Sequence, residues 1–293
     1  MHILNKSHVV LMIANVGFSF ILIFSTLLRD SGISSFQQVL FRLTLAILIV
    51  LALNKCQIRI RKDDLRHFMV RGISFSLFLL TALSSIALGC SVPVATALIH
   101  TQPLFTSVIA MISGRERVSI KKFPPILMGI VGVFIVGGID LRNFSLASFG
   151  VPLAIIAGFL YAIYLFMKRV EKEYRPLQAL FNTFIFAAPF TLFFWPILRA
   201  FIKNPLITGL MVPNYYQFFL LFLLASVSTV VPYGLLNYVK NYEVSPTAEG
   251  VMLLIDPAFS LFWAMLILGQ YATPFQYFGV VLILTSALIV LRS

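Results

Sequence analysis

Ten apolar runs, each close to 20 residues, occupy this chain almost end to end, at roughly 8–28, 34–53, 67–88, 93–112, 121–139, 149–168, 174–197, 215–239, 246–268 and 273–291. About 20 residues rising 1.5 Å each is what a helix needs to cross ~30 Å of hydrocarbon. Barrel strands would be about 10 residues long with alternating polarity, and runs such as Leu43 to Leu53 do not alternate. The sequence therefore predicts ten transmembrane helices, numbered here spans 1 to 10.

The loops between the runs are short, which leaves no room for an extramembrane catalytic domain. Hydrophobic residues make up 60% of the chain and charged residues 11%, far from the ~25% charged that a soluble domain carries. The mean hydropathy is +0.98, so lipid is the solvent for most of the surface. Whatever this chain does takes place between helices.

The net charge of +12 raises the question of nucleic acid, yet the basic residues cluster between apolar runs, where membrane orientation explains them. With the N-terminus inside, 17 Lys and Arg fall on the cytoplasmic side and 4 outside, with Arg42 left within the membrane. Both termini are expected in the cytoplasm, in a multi-pass protein of the plasma (cell inner) membrane. Cys56 and Cys90 fall on opposite sides, so no disulfide framework is expected. The first run is longer than a signal-peptide core and lacks a cleavage site, so it reads as a retained span.

Local matches relate the two halves. Gly17-Phe18 in span 1 corresponds to Gly158-Phe159 in span 6, and Val39 to Arg42 in span 2 to Ala179 to Asn182 in span 7. Gln102-Pro103-Leu104-Phe105 in span 4 corresponds to Asp256-Pro257-Ala258-Phe259 in span 9. Five spans per half is an odd number, so the second half enters the membrane from the opposite side and the repeat is inverted. The expected halves are residues 1–141 and 142–293.

These residues resemble a known family. Phe41-Arg42 with Ala46, the Gln102 to Phe105 run and Gly114-x-Glu116-x-Val118-Ser119 are similar to a first EamA repeat. Gly158 to Ala162, Asp256-Pro257 and Gly269-Gln270 are similar to a second. The resemblance covers nearly the whole chain and implies an EamA-type transporter of the drug/metabolite transporter superfamily, an all-α integral membrane protein with ten helices in two inverted five-helix repeats. The cargo it implies is amino acids, other metabolites or drugs. The family's second repeat commonly has Glu-Pro and Gly-Glu, where this chain has Asp256-Pro257 and Gly269-Gln270; the second swap removes an acid and any symmetric role for Glu116.

Ionisable groups inside a bilayer cost ~2.5–3.5 kcal/mol each on insertion scales, so each needs a partner, a wet cavity or a function. Arg42, about 12 Å into span 2, could bind a substrate carboxylate or phosphate, latch a gate, or satisfy backbone carbonyls at a helix break. Asp256, near mid-depth, could carry a proton, bind a cationic substrate or pair with Arg42; Glu249, seven residues earlier and closer to water, would extend an acidic track along span 9. His100 is a candidate proton carrier or an interhelical hydrogen-bonding group, with Gln102 beside it. Asn182, Tyr233, Asn237 and Trp263 could line a cavity. Pro103 and Pro257 are repeat-related and read as gating positions, while the small residues of spans 5 and 6 read as packing.

Catalytic, metal and phosphate-cradling motifs are missing from the sequence, so neither a cofactor nor catalytic residues are expected and transport would draw on an ion or substrate gradient. The expected function is a secondary active transporter exporting a small polar metabolite, an amino acid or related compound, by alternating access. Its partners would be the substrate, the lipid bilayer and a coupling proton or other ion, without nucleic acid, as a monomer or homodimer. The competing readings are an intramembrane enzyme or lipid-handling protein, which would need clustered acids or histidines at one depth, and a receptor or structural protein, which leaves the repeat unexplained.

Overall fold

The computed structural model describes residues 6–54, 59–88, 90, 92–114, 123–136, 149–168, 174–239, 244–268 and 273–292. The boundary at 141/142, the Glu116 to Ser119 motif, Gly137-Gly138, Gly269-Gln270 and Cys56 lie outside them. Among the described residues eight helical stretches are long and apolar enough to cross a membrane, and two shorter apolar helices supply spans 5 and 10.

Span 1 is Lys6–Asp30, span 2 Ser35–Leu53, span 3 Leu65–Ala87, span 5 Phe123–Val136, span 6 Gly150–Met167, span 7 Pro176–Phe201 and span 10 Pro274–Arg292. Span 4 is two helices, Val92–Ile99 and Gln102–Ile112. Span 8 passes from Tyr215–Ala225 through a π turn, Ser226–Val230, into Val231–Tyr238. Span 9 passes from Pro246–Met252 through a 3-10 turn, Leu253–Ile255, into Asp256–Leu268. Side chains cap several starts: Ser34 accepts from the Gln37 amide, Ser245 from the Ala248 amide, and Asn214 forms a reciprocal box with Gln217.

The main contacts between spans are kept when each span is exchanged for the one five places along. Span 3 lies on span 6 as span 8 lies on span 1; span 3 meets 7 as 8 meets 2; span 4 meets 6 as 9 meets 1; and 2 with 7, 4 with 9 and 5 with 10 pair with their own counterparts. That is the arrangement of two five-helix repeats of opposite sense. Spans 5 and 10 approach through glycine: a Cβ on Gly132 would stand 2.7 Å from the Gly279 carbonyl oxygen, and one on Gly279 2.8 Å from that of Gly132. In span 6 a Cβ on Gly158 would stand 3.0 Å from the carbonyl oxygens of Leu98 and Ile99, so the small residues of both spans act in packing as expected.

Among the described residues three spans break, and each break has a proline beside it. Pro103 starts the second helix of span 4 and Pro257 the last helix of span 9, at matching places in the two repeats. Pro232 follows the π turn of span 8, whose counterpart, span 3, runs unbroken. A proline has no N–H to give the carbonyl four residues back, so each break releases a backbone acceptor into the bundle interior.

A candidate transport cavity between the repeats

Spans 1, 2, 3, 4, 6, 8 and 9 surround a cavity of about 90 Å³, large enough for several waters or a small solute. Most of its wall is apolar, from Phe18, Phe78 and Leu79 to Ile86 and Ile99. The polar groups are few and come from both repeats: Arg42, Thr96 and His100 from the first, Tyr161, Tyr233 and Asp256 from the second. A mainly apolar pocket with a few convergent polar groups is the usual form of a small-molecule site.

Arg42 is held by the break in span 8. Pro232 has no amide hydrogen for the Ser228 carbonyl, and an Arg42 Nη donates to that oxygen at 3.1 Å while Nε donates to Thr229 Oγ1 at 2.5 Å. Thr229 in turn donates to the Leu224 carbonyl, five residues back across the π turn. The guanidinium thus keeps two anchors and still borders the cavity.

His100 and Asp256 meet where the breaks of spans 4 and 9 cross. His100 Nε2 stands 3.3 Å from Asp256 Oδ2, and Nδ1 is 2.8 Å from the Thr96 carbonyl oxygen. Both side chains keep some exposure, 11% and 19%. Beside them Gln102 donates to the Gly250 carbonyl at 3.0 Å, which ties the two broken spans together.

Span 1 begins at the near face of the bundle and ends at the far face, and chain direction then fixes the depth of every residue. The cavity takes Phe78 to Ile86 near the far end of span 3 and Ala95 to His100 near the far start of span 4. A cleft at the far ends of spans 1 to 3, beside Ser25, Ser35 and Gln38, shares Leu83 and Ile86 with it. The cavity therefore faces the far side.

Toward the near face the described residues pack closed. Phe75 packs on Tyr164 and Tyr233 with ring centroids 4.7 and 4.8 Å apart, and all three are buried. Below them the Arg71 guanidinium lies 4.5 Å from the centre of the Tyr164 ring and donates to Asn237 Oδ1 at 2.8 Å. Deeper still, Lys168 Nζ bonds Glu249 and, at 2.8 Å, the Leu236 carbonyl. Spans 3, 6, 8 and 9 are joined by this column.

A family model described as the EamA-like transporter family matches residues 5–138 and 148–292. The chain belongs to the EamA-like transporter family. It is 25% identical over 213 residues, 69% of this chain and 68% of the relative, to the "Probable amino-acid metabolite efflux pump" of Salmonella typhimurium, and 25% identical over the same length to a protein of that name in Escherichia coli. It is 24% identical over 244 residues, 82% of this chain and 76% of the relative, to "Uncharacterized transporter YdfC" of Bacillus subtilis. A solved crystal structure superposes on 94% of both chains with a TM-score of 0.70 at 17% identity, which shows the fold. The protein is thus a multi-pass membrane transporter.

The EamA cavity collects some of the sequence candidates and not others. Arg42, His100, Tyr233 and Asp256 line it, and Pro103 and Pro257 mark the breaks that aim them. Arg42 and Asp256 border one space, but the bonds of Arg42 go to span 8 and the near contacts of Asp256 are His100 and Ser260. Gln102 belongs to the seam between spans 4 and 9, and Asn237 to the near seal. Asn182, the repeat counterpart of Arg42, donates to the Arg59 carbonyl at 3.1 Å and fastens a loop to span 7. Trp263 stacks on Phe20 at 4.8 Å and is not among the residues that line the cavity.

Glu249 corrects the expectation of a solvated acid, since it is 2% exposed and paired with Lys168. The acidic track of span 9 does not form, because the 3-10 turn separates Glu249 in the seal from Asp256 in the cavity. Arg71 and Lys168, counted among the cytoplasmic loop charges, are buried, which leaves 15 basic residues against 4 in the orientation argument. The position of Arg71 inside an apolar run was the available signal. Asn15, which no motif marks, is buried in span 1 and donates to the Met252 carbonyl at 3.1 Å, at the edge of the span 9 turn.

Proposed function

We propose that this protein is a secondary active transporter that exports a small metabolite bearing a carboxylate, an amino acid or a close chemical relative, by alternating access around the cavity. The observation that carries the reading is the placement of Arg42 and Asp256, a cation and an acid from opposite repeats, on one largely apolar cavity at the breaks of spans 8 and 9. A guanidinium offers a carboxylate a bidentate seat, and Asp256 offers a carboxylate to an ammonium group. The efflux-pump names of the Salmonella and Escherichia relatives support this class of cargo.

In this reading the halves, 1–141 and 142–293, rock about the seam of spans 4 and 9 while the prolines allow the broken helices to bend. The protein sits in the plasma (cell inner) membrane with both termini in the cytoplasm, so the near face is cytoplasmic and the cavity is caught open to the outside.

The test is uptake of a mixture of radiolabelled amino acids by reconstituted vesicles. Asp256→Asn keeps the shape and removes the charge, so it should insert at parental level while flux falls at least about tenfold, or ~1.4 kcal/mol in the barrier. Flux at the parental rate would show that Asp256 is structural.

A further inference from the structure

We propose that His100 and Asp256 form a single-proton site, and that this proton and the cationic group of the substrate compete for Asp256, which makes the transporter a proton exchanger. The inference rests on the substrate reading above and adds the coupling ion and its seat.

A carbonyl oxygen only accepts, so the 2.8 Å contact of His100 Nδ1 with the Thr96 carbonyl places a hydrogen on Nδ1. In the neutral ring Nε2 then carries a lone pair, and it stands 3.3 Å from Asp256 Oδ2. A lone pair on a nitrogen this close to an ionised carboxylate oxygen is repelled by it. One proton removes the conflict, whether it resides on Asp256 or on Nε2, and in either form the pair has no net charge.

The other groups around the pair do not replace that proton. Span 2 presents Arg42, span 6 Tyr161 and span 8 Tyr233, whose hydroxyls are neutral at ordinary pH. Span 1 presents Phe18 and Ile21, and span 3 Phe78, Leu79, Ala82, Leu83 and Ile86, none of which titrates. Span 5 has no ionisable residue in Phe123–Val136, spans 7 and 10 contribute no described residue to the cavity, and Glu249 and Lys168 are bonded to each other nearer the near face.

With the proton bound, Asp256 is occupied by His100 and offers no charge to an ammonium group. When the proton leaves to cavity water, Asp256 becomes a free carboxylate and takes the ammonium group while Arg42 takes the substrate carboxylate. On the return half-cycle a proton displaces the ammonium group and restores the pair. Each zwitterion moved one way is balanced by one proton moved the other.

Two measurements test this. With His2, His8 and His67 replaced by Gln, His100 is the sole histidine of the chain, and nitrogen NMR of the labelled ring in nanodiscs should show Nδ1 protonated throughout. Nε2 should respond to loss of one proton as pH rises, and the response should shift or vanish in Asp256→Asn. An Nε2 titration unchanged by Asp256→Asn would overturn the shared site. In vesicles clamped at zero potential with potassium and valinomycin, labelled amino acids should accumulate about tenfold per unit of inside-acid pH gradient. His100→Gln should bring that response below about twofold, read against the variant's own residual counterflow of labelled against unlabelled amino acids. Accumulation by His100→Gln at the parental ratio would refute the exchange. If the parent moves no labelled amino acid, the substrate reading fails by itself, and the proton site stands or falls on the NMR titration.

Discussion

The buried cations Arg42 and Lys168 are held in the apolar interior by different means. Arg42 takes a carbonyl and a hydroxyl at a helix break, whereas Lys168 takes a carboxylate and a carbonyl. Removing one partner of a buried ion pair leaves the other uncompensated, at a cost of about 3–5 kcal/mol, while replacing both by apolar groups is often neutral. Glu249→Gln should therefore lower the melting temperature markedly, and Lys168→Met with Glu249→Leu should restore it; equal melting of Glu249→Gln and parent would remove the pair from the seal. The partnership was not readable in the sequence because 81 residues separate the two. The position of Glu249, near the start of a span, suggested water, and only packing against spans 6 and 8 shows otherwise. Asp256 was legible because an acid before a mid-span proline has no solvated explanation, and His100 and Arg42 were legible on the same depth argument.

At the scale of the helices, the spans themselves were plain in the sequence, since a lipid-facing helix needs about 20 apolar residues and short loops between them leave little choice of boundary. The breaks were half-visible. Pro103, Pro257 and Pro232 announce missing backbone donors, but the π turn and the guanidinium that fills its acceptor depend on span 2 lying against span 8, which links residues 186 apart. Pro232→Ala supplies an amide hydrogen to the Ser228 carbonyl and sets it in competition with Arg42. Melting should be unchanged or higher, since an interior proline costs a helix about 3 kcal/mol, while amino-acid uptake should fall. Parental uptake by Pro232→Ala would show that the break has no part in holding Arg42. The same helical logic applies between spans 5 and 10, where Gly132→Ala should lower stability by about 1–3 kcal/mol because the added methyl meets the Gly279 backbone rather than a movable side chain; a parental thermal melt would show that the two helices separate without cost.

For the molecule as a whole, the exchange symmetry of the packing coexists with an asymmetric cavity, open at the far face and sealed at the near face by Phe75, Tyr164, Arg71 and Asn237. Repeats of this kind can supply the opposite state by trading conformations, so the near seal must part when the far side closes. Impermeant thiol labelling of Lys62→Cys and Lys203→Cys in a cysteine-free background should mark opposite faces of the membrane, and labelling from one side at both positions would refute the topology. The most direct test of transport through this cavity uses Ala82, which borders it near the far end of span 3. With Cys56 and Cys90 replaced by serine, Ala82→Cys should react with an impermeant thiol reagent from the far side alone. Reaction should abolish uptake of the labelled amino-acid mixture, and excess unlabelled mixture should slow it. Full modification with uptake intact would contradict the account.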